Sequence, residues 1–504
     1  MVAIIHTVAL VGFDGALVAV ETDAKQGLPG IQIVGMGNKA VDEARERVRS
    51  AITNSLLPFP AKKLIINLAP AELPKDGAHF DLPIALSILV ATGQLKQTEV
   101  TGALFAGELG LDGAVRPIKG AINLAEIART SGNARVFLPL ENASQAALIK
   151  GVEVFGITTL TQLYLHLKGV TPIEPVTYNS PLLKQAPTLT TLDDIHGQEQ
   201  AKRALAIAAA GRHHLLLHGP PGAGKTMLAK ALVGLLPPLS FDEQLQVTKL
   251  YSLAGEIQGS IVADRPFRAP HHSASSLALI GGGSRPRPGE ISLAHLGVLF
   301  LDEIPEYSRS ALEALRGPLE DRTVSIVRAT NRVTYPADFM LVATMNPCPC
   351  GYLGDPTHVC DCSPSQILSY QKKLSGPLLD RIDMVISVSK LATASLLTHD
   401  TLHKSQHLQV VDEIHTAREQ QESRYKSSVL YNASLTSSLV KKHAELTESG
   451  RTFLGQAAER LQLSARSYFK VIKVARTIAD LASHHTITPE HIAEALQFRT
   501  SLKT

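Results

Sequence analysis

HLLLHGPPGAGKT, residues 214–226, decides how this chain is read. Leu215, Leu216 and Leu217 make an apolar run of strand length. The run feeds into Gly219, Pro220, Pro221, Gly222, Ala223, Gly224, Lys225 and Thr226, which match the pattern G-x-x-x-x-G-K-[ST]. Met227–Leu236 then has helical spacing. A strand, a glycine-rich loop and a helix in that order form a phosphate cradle. The glycines let backbone N–H groups turn inward around phosphate oxygens, and the helix N-terminus adds its partial positive charge. Lys225 is placed to reach the β- and γ-phosphates, and Thr226 to ligate Mg²⁺.

Downstream, Val298-Leu299-Phe300-Leu301 reads as a buried strand that ends in Asp302 and Glu303. Asp302 stands where it can hold the Mg²⁺ shell, and Glu303 where it can polarise an attacking water. The bland alternative, a strand ending in a solvated acidic turn, is weakened by the phosphate loop upstream. Phe339–Thr344 is a further strand leading to Asn346, whose amide can position that water; an asparagine there is also an ordinary turn former. The expected ligands are therefore ATP and Mg²⁺.

Around this core the chain divides by pattern. Its 504 residues exceed one hydrophobic core. Residues 1–170 alternate strand and helix signals, including strands at 8–11, 31–34 and 64–68 and a helix from about Lys39 to Leu56. Residues 171–190, proline-rich and aperiodic, read as a linker. Residues 191–390 form a second α/β segment, and 391–504 look helical, with Tyr468, Val471, Ile472, Ala475, Ile478 and Ala479 on one stripe. The expected fold class is α/β and multidomain. No charge-free apolar run spans a membrane, the N-terminus lacks a basic leader, and the net charge of +3 does not by itself argue for a polyanion partner. A cytoplasmic location is expected.

All four cysteines lie between 348 and 362. Cys348, Cys350, Cys360 and Cys362 supply two thiolates per arm, enough for a closed tetrahedral site, so structural zinc is expected. The one-residue spacing inside each arm is tighter than usual, and His358 is a possible substitute ligand. Arg265, Arg268, His271, His272, Arg285 and Arg287 lie in a Gly/Pro-rich stretch that reads as an insertion. Arg322, Arg328 and Arg332 lie on two short β-prone arms over 321–334. Both stretches are candidates for backbone-tracking contacts to DNA. The alternative is a solvated basic loop, or a contact to a neighbouring subunit.

Six blocks together resemble the magnesium-chelatase-like AAA+ proteins of the ComM/YifB family: residues 197–226, 267–283, 288–306, MNPCPCGYLGD at 345–355, SGPLLDRID at 375–383 and VARTIADL at 474–481. The resemblance covers essentially the whole chain. It implies a hexameric ring that acts on single-stranded or branched DNA and drives branch migration or unwinding in recombination during natural transformation. It also implies that Arg381 is an arginine finger reaching a neighbouring subunit's γ-phosphate, and that Arg466 is the sensor-2 arginine of a C-terminal helical lid over 391–504. The basic stretches are then expected at the central pore. A rival reading from the same resemblance is a remodelling subunit acting on a protein complex, as in magnesium chelatase itself. Residues 74–81 and 107–118 resemble two blocks of Lon-type proteases, with His79 at the serine position and Ile122 at the lysine position. Neither side chain supplies a nucleophile and its amine base, so a Lon-like but inactive N-terminal domain is expected.

Overall fold

The computed structural model describes residues 2–35, 39–177, 190–257, 261–283, 286–327, 332–355, 358–390 and 405–499. The chain is a mixed α/β protein of two compact units. One comprises Met1–Leu183 with Phe241–Val262 and Val327–Tyr335; the other comprises Lys184–Ser240, Ala263–Ile326 and Pro336–Thr504.

The first unit is built on a seven-stranded mixed sheet. Its long hairpin pairs Ala3–Val11 antiparallel with Asp14–Lys25. The strand expected at 8–11 is thus the end of a longer strand that turns back at Gly12 into a second. Gly12 has a positive φ and stands against Val333, where a Cβ would lie 2.5 Å from Cγ1. Lys63–Ala69 buries every second residue, with Leu64, Ile66 and Leu68 inside, which marks a sheet with one dry face. The helix Lys39–Asn54 buries Ala44, Val48, Ala51 and Ile52 against that face. The helix Phe241–Ala254 also belongs to this unit, where Lys249 pairs with Glu126 at 2.7 Å and its ammonium lies 4.2 Å from the Phe13 ring centroid.

The second unit carries a five-stranded sheet in which every pairing is parallel. The order runs Phe267–Arg268, Val298–Leu301, Met340–Met345, Leu215–His218, Met384–Ser387. Three central strands are buried at nearly all positions, as expected where helices cover both faces. In such a sheet ligands gather beyond the carboxyl ends of the strands. Three of those ends are His218, Leu301 and Met345, the residues just before the phosphate loop, the acidic pair and Asn346.

From 405 to 499 the described residues form five α-helices. Ser464 caps Ala465–Leu481 by accepting from the Ser467 amide. The stripe Val471, Ile472, Ala475, Ile478 and Ala479 is buried as its spacing requires. Arg476, Thr477 and Asp480 are buried too, because Asp480 receives Arg424 and Arg476 while Arg476 also donates to the carbonyls of His484 and His485. Buried charges persist when paired in this way. Among the described residues no helix is long and apolar enough to cross a membrane.

Candidate nucleotide site

The phosphate loop folds as its residue types dictate. Gly222 and Gly224 have φ of +75° and +85°, the left-handed region where a side chain is strained. Gly224 caps the helix Lys225–Leu235 without any side-chain hydrogen bond, so the first amides of that helix remain available to an anion. Gly219 is needed for a different reason: a Cβ there would lie 2.0 Å from the Val388 carbonyl oxygen.

Lys225 is buried, and its ammonium donates to the carbonyls of Gly219 and Pro220 and, at 2.8 Å, to Asn346 Oδ1. Desolvation draws its pKa down to about 8, against the pull of Asp302 and Glu303. Asn346 turns its other amide atom to Glu303, donating to Oε1 at 3.3 Å. One asparagine therefore links the lysine to the acidic pair. Asp302, Glu303 and Thr226 are exposed at this corner.

One member of the corner was not read from sequence. Thr344 donates from Oγ1 to Asp302 Oδ1 at 2.5 Å and accepts from the Glu303 amide at 2.8 Å. It is fully buried and fixes the Asp302 carboxylate and the Glu303 backbone, with Glu303 in the left-handed region at φ +49°. The parallel register that pairs Leu301 with Ala343 brings it there, and no local motif announces it.

Arg381 and Arg466 go elsewhere: both guanidinium groups meet on Glu320, Arg466 at 2.7 Å. Arg381 also donates to the carbonyls of Arg316 and Pro377. Its acid partner is Glu320, distant in sequence, while the neighbouring Asp383 is held by Lys470 at 3.1 Å. The two arginines line a cavity of about 610 Å³ with Glu320, Arg322, Lys470 and Lys473.

The four cysteines converge. Their sulfur atoms lie within 4.8 Å of one another, with Cys348–Cys350 at 3.3 Å and Cys360 at 3.6 Å from both. A tetrahedral zinc with Zn–S bonds of about 2.3 Å needs sulfurs about 3.8 Å apart, so the set fits. The Tyr352 amide draws the Cys350 thiol down to about 6. His358 is not part of the cluster; its ring stacks on Tyr352 at 4.7 Å.

The basic candidates separate sharply. Arg265 is buried and donates to the carbonyls of Pro237, Pro238 and Leu296. Arg268 makes two 2.7 Å bonds to Glu290. The stretch expected to be an insertion thus begins inside the fold, because Phe267–Arg268 is an edge strand of the parallel sheet. His271, bonded to Ser273, is exposed, as are His272, Arg287 and Arg332; Arg322 is half-exposed beside Asp338. Arg285 and Arg328 lie outside the described residues, as do residues 178–189 of the expected linker.

In the first unit His79 is buried, bonded through Nε2 to the Val8 carbonyl at 2.8 Å and packed 4.2 Å from the Phe80 ring. Ile122 is fully buried in the core. Beside His79 the sequence reading passed over Asp81, a buried carboxylate held bidentately by Arg47 at 2.8 and 3.0 Å. Burial pushes its pKa up to about 6 despite that partner.

Comparison with known proteins places the chain in a family. Residues 191–396 match the family model described as magnesium chelatase, subunit ChlI; 20–142 match subunit ChlI of Mg-chelatase, and 404–499 its C-terminal model. The chain is 42% identical to competence protein ComM of Haemophilus influenzae, covering 99% of this chain and 98% of that one. The chain belongs to the ComM/YifB family of magnesium-chelatase-like AAA+ proteins. Within that family it is also 43% identical to uncharacterized protein YifB of Salmonella typhimurium, over 99% and 97% of the two chains. A weaker likeness, 26% identity over 35% of this chain and 33% of the other, links it to Lon protease 2 of Bacillus subtilis.

Proposed function

We propose that the chain is a ring-forming, ATP-hydrolysing motor that acts on single-stranded or branched DNA and promotes branch migration in recombination. The observation that carries the reading is the connected corner of Lys225, Asn346, Glu303, Asp302 and Thr344. It joins a phosphate loop to a base for water and a carboxylate for Mg²⁺, in a chain that matches a competence protein end to end. The eight residues Gly219–Thr226 cradle the phosphates, Thr226 and Asp302 hold Mg²⁺, and Glu303 takes the proton from water with Asn346 orienting it. Arg381 stabilises charge on the phosphoryl group bound to a neighbouring subunit, and Arg466 does so on nucleotide bound to its own or an adjacent subunit. Cys348, Cys350, Cys360 and Cys362 hold a structural zinc, which cross-links their loop and leaves no open position for catalysis. The first unit is a Lon-like domain without protease chemistry, the helices after 405 are the lid, and the protein works in the cytoplasm as a hexamer. Of the basic stretches, exposed His272, Arg287 and Arg332 suit DNA backbone contact, with Arg328 beside Arg332 in sequence.

The test is ATP hydrolysis with and without single-stranded and forked DNA, with Glu303→Gln as the blank. DNA stimulation that weakens in Arg332→Ala and Arg328→Ala supports a DNA motor. Hydrolysis indifferent to every DNA tested favours instead a motor that remodels a protein complex.

A further inference from the structure

We propose that zinc binding by the four-cysteine loop and nucleotide binding by the phosphate loop are one linked equilibrium, because the cysteine loop is a wall of the nucleotide site. The inference rests on the zinc reading above and adds to it a consequence for ATP.

Three contacts make the wall. Gly351, next to Cys350, has φ +85° and lies so close to the phosphate loop that a Cβ would be 2.7 Å from both Cδ and Cγ of Pro221. Asn346, two residues before Cys348, accepts from Lys225 and donates to Glu303. Pro349, between the first two cysteines, lines the cleft beside Glu303 and Asn346. The loop therefore touches the phosphate loop on one side and the water-activating pair on the other.

The wall is held from outside by Lys390, which pairs with the buried carboxylate of Asp355 at 2.6 Å, and by Gln371, which donates to the Pro347 carbonyl at 3.5 Å; the cluster ties its two arms together. The first arm is short and turned back on itself, with the Gly351 amide donating to the Cys348 carbonyl at 3.0 Å and the Leu353 amide to Cys348 Sγ at 3.4 Å. The second arm, Cys360–Cys362, has no regular structure, and the Cys350 amide reaches it through Cys362 Sγ at 3.4 Å. Four thiolates so close repel one another, whereas a divalent cation among them turns the repulsion into a cross-link. Closing the loop on a metal removes conformational freedom that the loop otherwise keeps. A metal that favours the conformation abutting Pro221 favours nucleotide, and by reciprocity bound nucleotide favours the metal by the same factor.

The test uses the full-length protein purified with zinc and a chromogenic chelator in competition for Zn²⁺, with and without saturating ADP. The expected result is tighter Zn²⁺ retention with ADP, by a factor on the order of ten, and ADP binding weakened by the same factor in zinc-stripped protein and restored on adding Zn²⁺ back. Cys362→Ser, on the far arm, is expected to weaken ADP binding to the same extent. Gly351→Ala keeps all four thiols and is expected to retain zinc while its zinc and ADP affinities no longer depend on each other. Stoichiometric zinc held equally with and without ADP overturns the linkage and leaves the zinc reading standing. Absence of zinc overturns both.

Discussion

Lys225 and His79 invite comparison. Each is buried, each closely follows a glycine of positive φ at the start of a helical turn, and desolvation lowers the pKa of each. They differ in what they are bound to. Lys225 donates to two carbonyls of its own loop and to one asparagine, beside exposed Thr226, Asp302 and Glu303. A phosphate can take over those bonds at little cost. His79 is bonded to a carbonyl of a central strand and packed on Phe80, and the residue at the matching lysine position, Ile122, is sealed in the core. No ligand can exchange for those partners without opening the sheet. Motif likeness marks both places, but only the first keeps exchangeable polar partners at a solvent-open cleft.

The largest effect that tests the open side of this contrast is expected at Arg381. If it completes the nucleotide site of a second subunit, Arg381→Ala lowers kcat by about 10³-fold or more while nucleotide binding persists. Mixing it with inactive Lys225→Ala subunits then restores part of the activity, because some interfaces combine an intact phosphate loop with an intact arginine. A mixture no more active than its components removes Arg381 from any site in trans. Next in size is Glu303→Gln, expected to lower kcat by about 10²–10⁴-fold with ATP binding retained, as measured by single-turnover hydrolysis and a fluorescent nucleotide. Equal loss of binding and turnover would make Glu303 a scaffold residue.

The closed side is tested by attempting to reopen it. His79→Ser with Ile122→Lys restores the residue types of a protease dyad, yet the double variant is expected to cleave no peptide and to unfold at lower urea. A lysine at a fully buried apolar position must find a partner or shed its charge. Ile122→Ala alone is expected to cost about 2–5 kcal/mol in urea unfolding. Peptide cleavage by the double variant would mean that burial, as seen here, does not close the site.

Local chemistry was legible in the sequence, and long-range pairing was not. Strand, loop and helix from Leu215 to Leu235 were plain because each residue's role depends on its immediate neighbours. The thiol cluster was plain because its four cysteines lie within one short stretch. Thr344 was hidden, since its bond to Asp302 exists only through the register of two strands distant in sequence. Arg265 and Arg268 were misread for the related reason that an arginine in a Gly/Pro-rich stretch looks solvated until the carbonyls of Pro237 and Leu296, or the carboxylate of Glu290, are folded onto it. The pairing of Arg381 with Glu320 was hidden in the same way, since the two lie 61 residues apart in sequence.

The finest test concerns the exchange of partners at Lys225. Among its carbonyl and amide partners, desolvation holds the ammonium pKa down to about 8. Phosphate oxygens in place of carbonyls favour the charged form and raise that pKa. Below pH 8 the amine is already protonated, so nucleotide binding takes up no proton there. Above pH 8 binding must protonate it, and affinity falls as pH rises, by at most about tenfold per pH unit for a single group. Calorimetry of ADP binding at pH 7 and pH 9, in buffers of different ionisation enthalpy, reads the uptake directly. The expected result is uptake approaching one proton at the higher pH and an uptake at that pH reduced in Lys225→Met. Equal uptake in both proteins would assign the proton to another group and leave Lys225 charged before the nucleotide arrives.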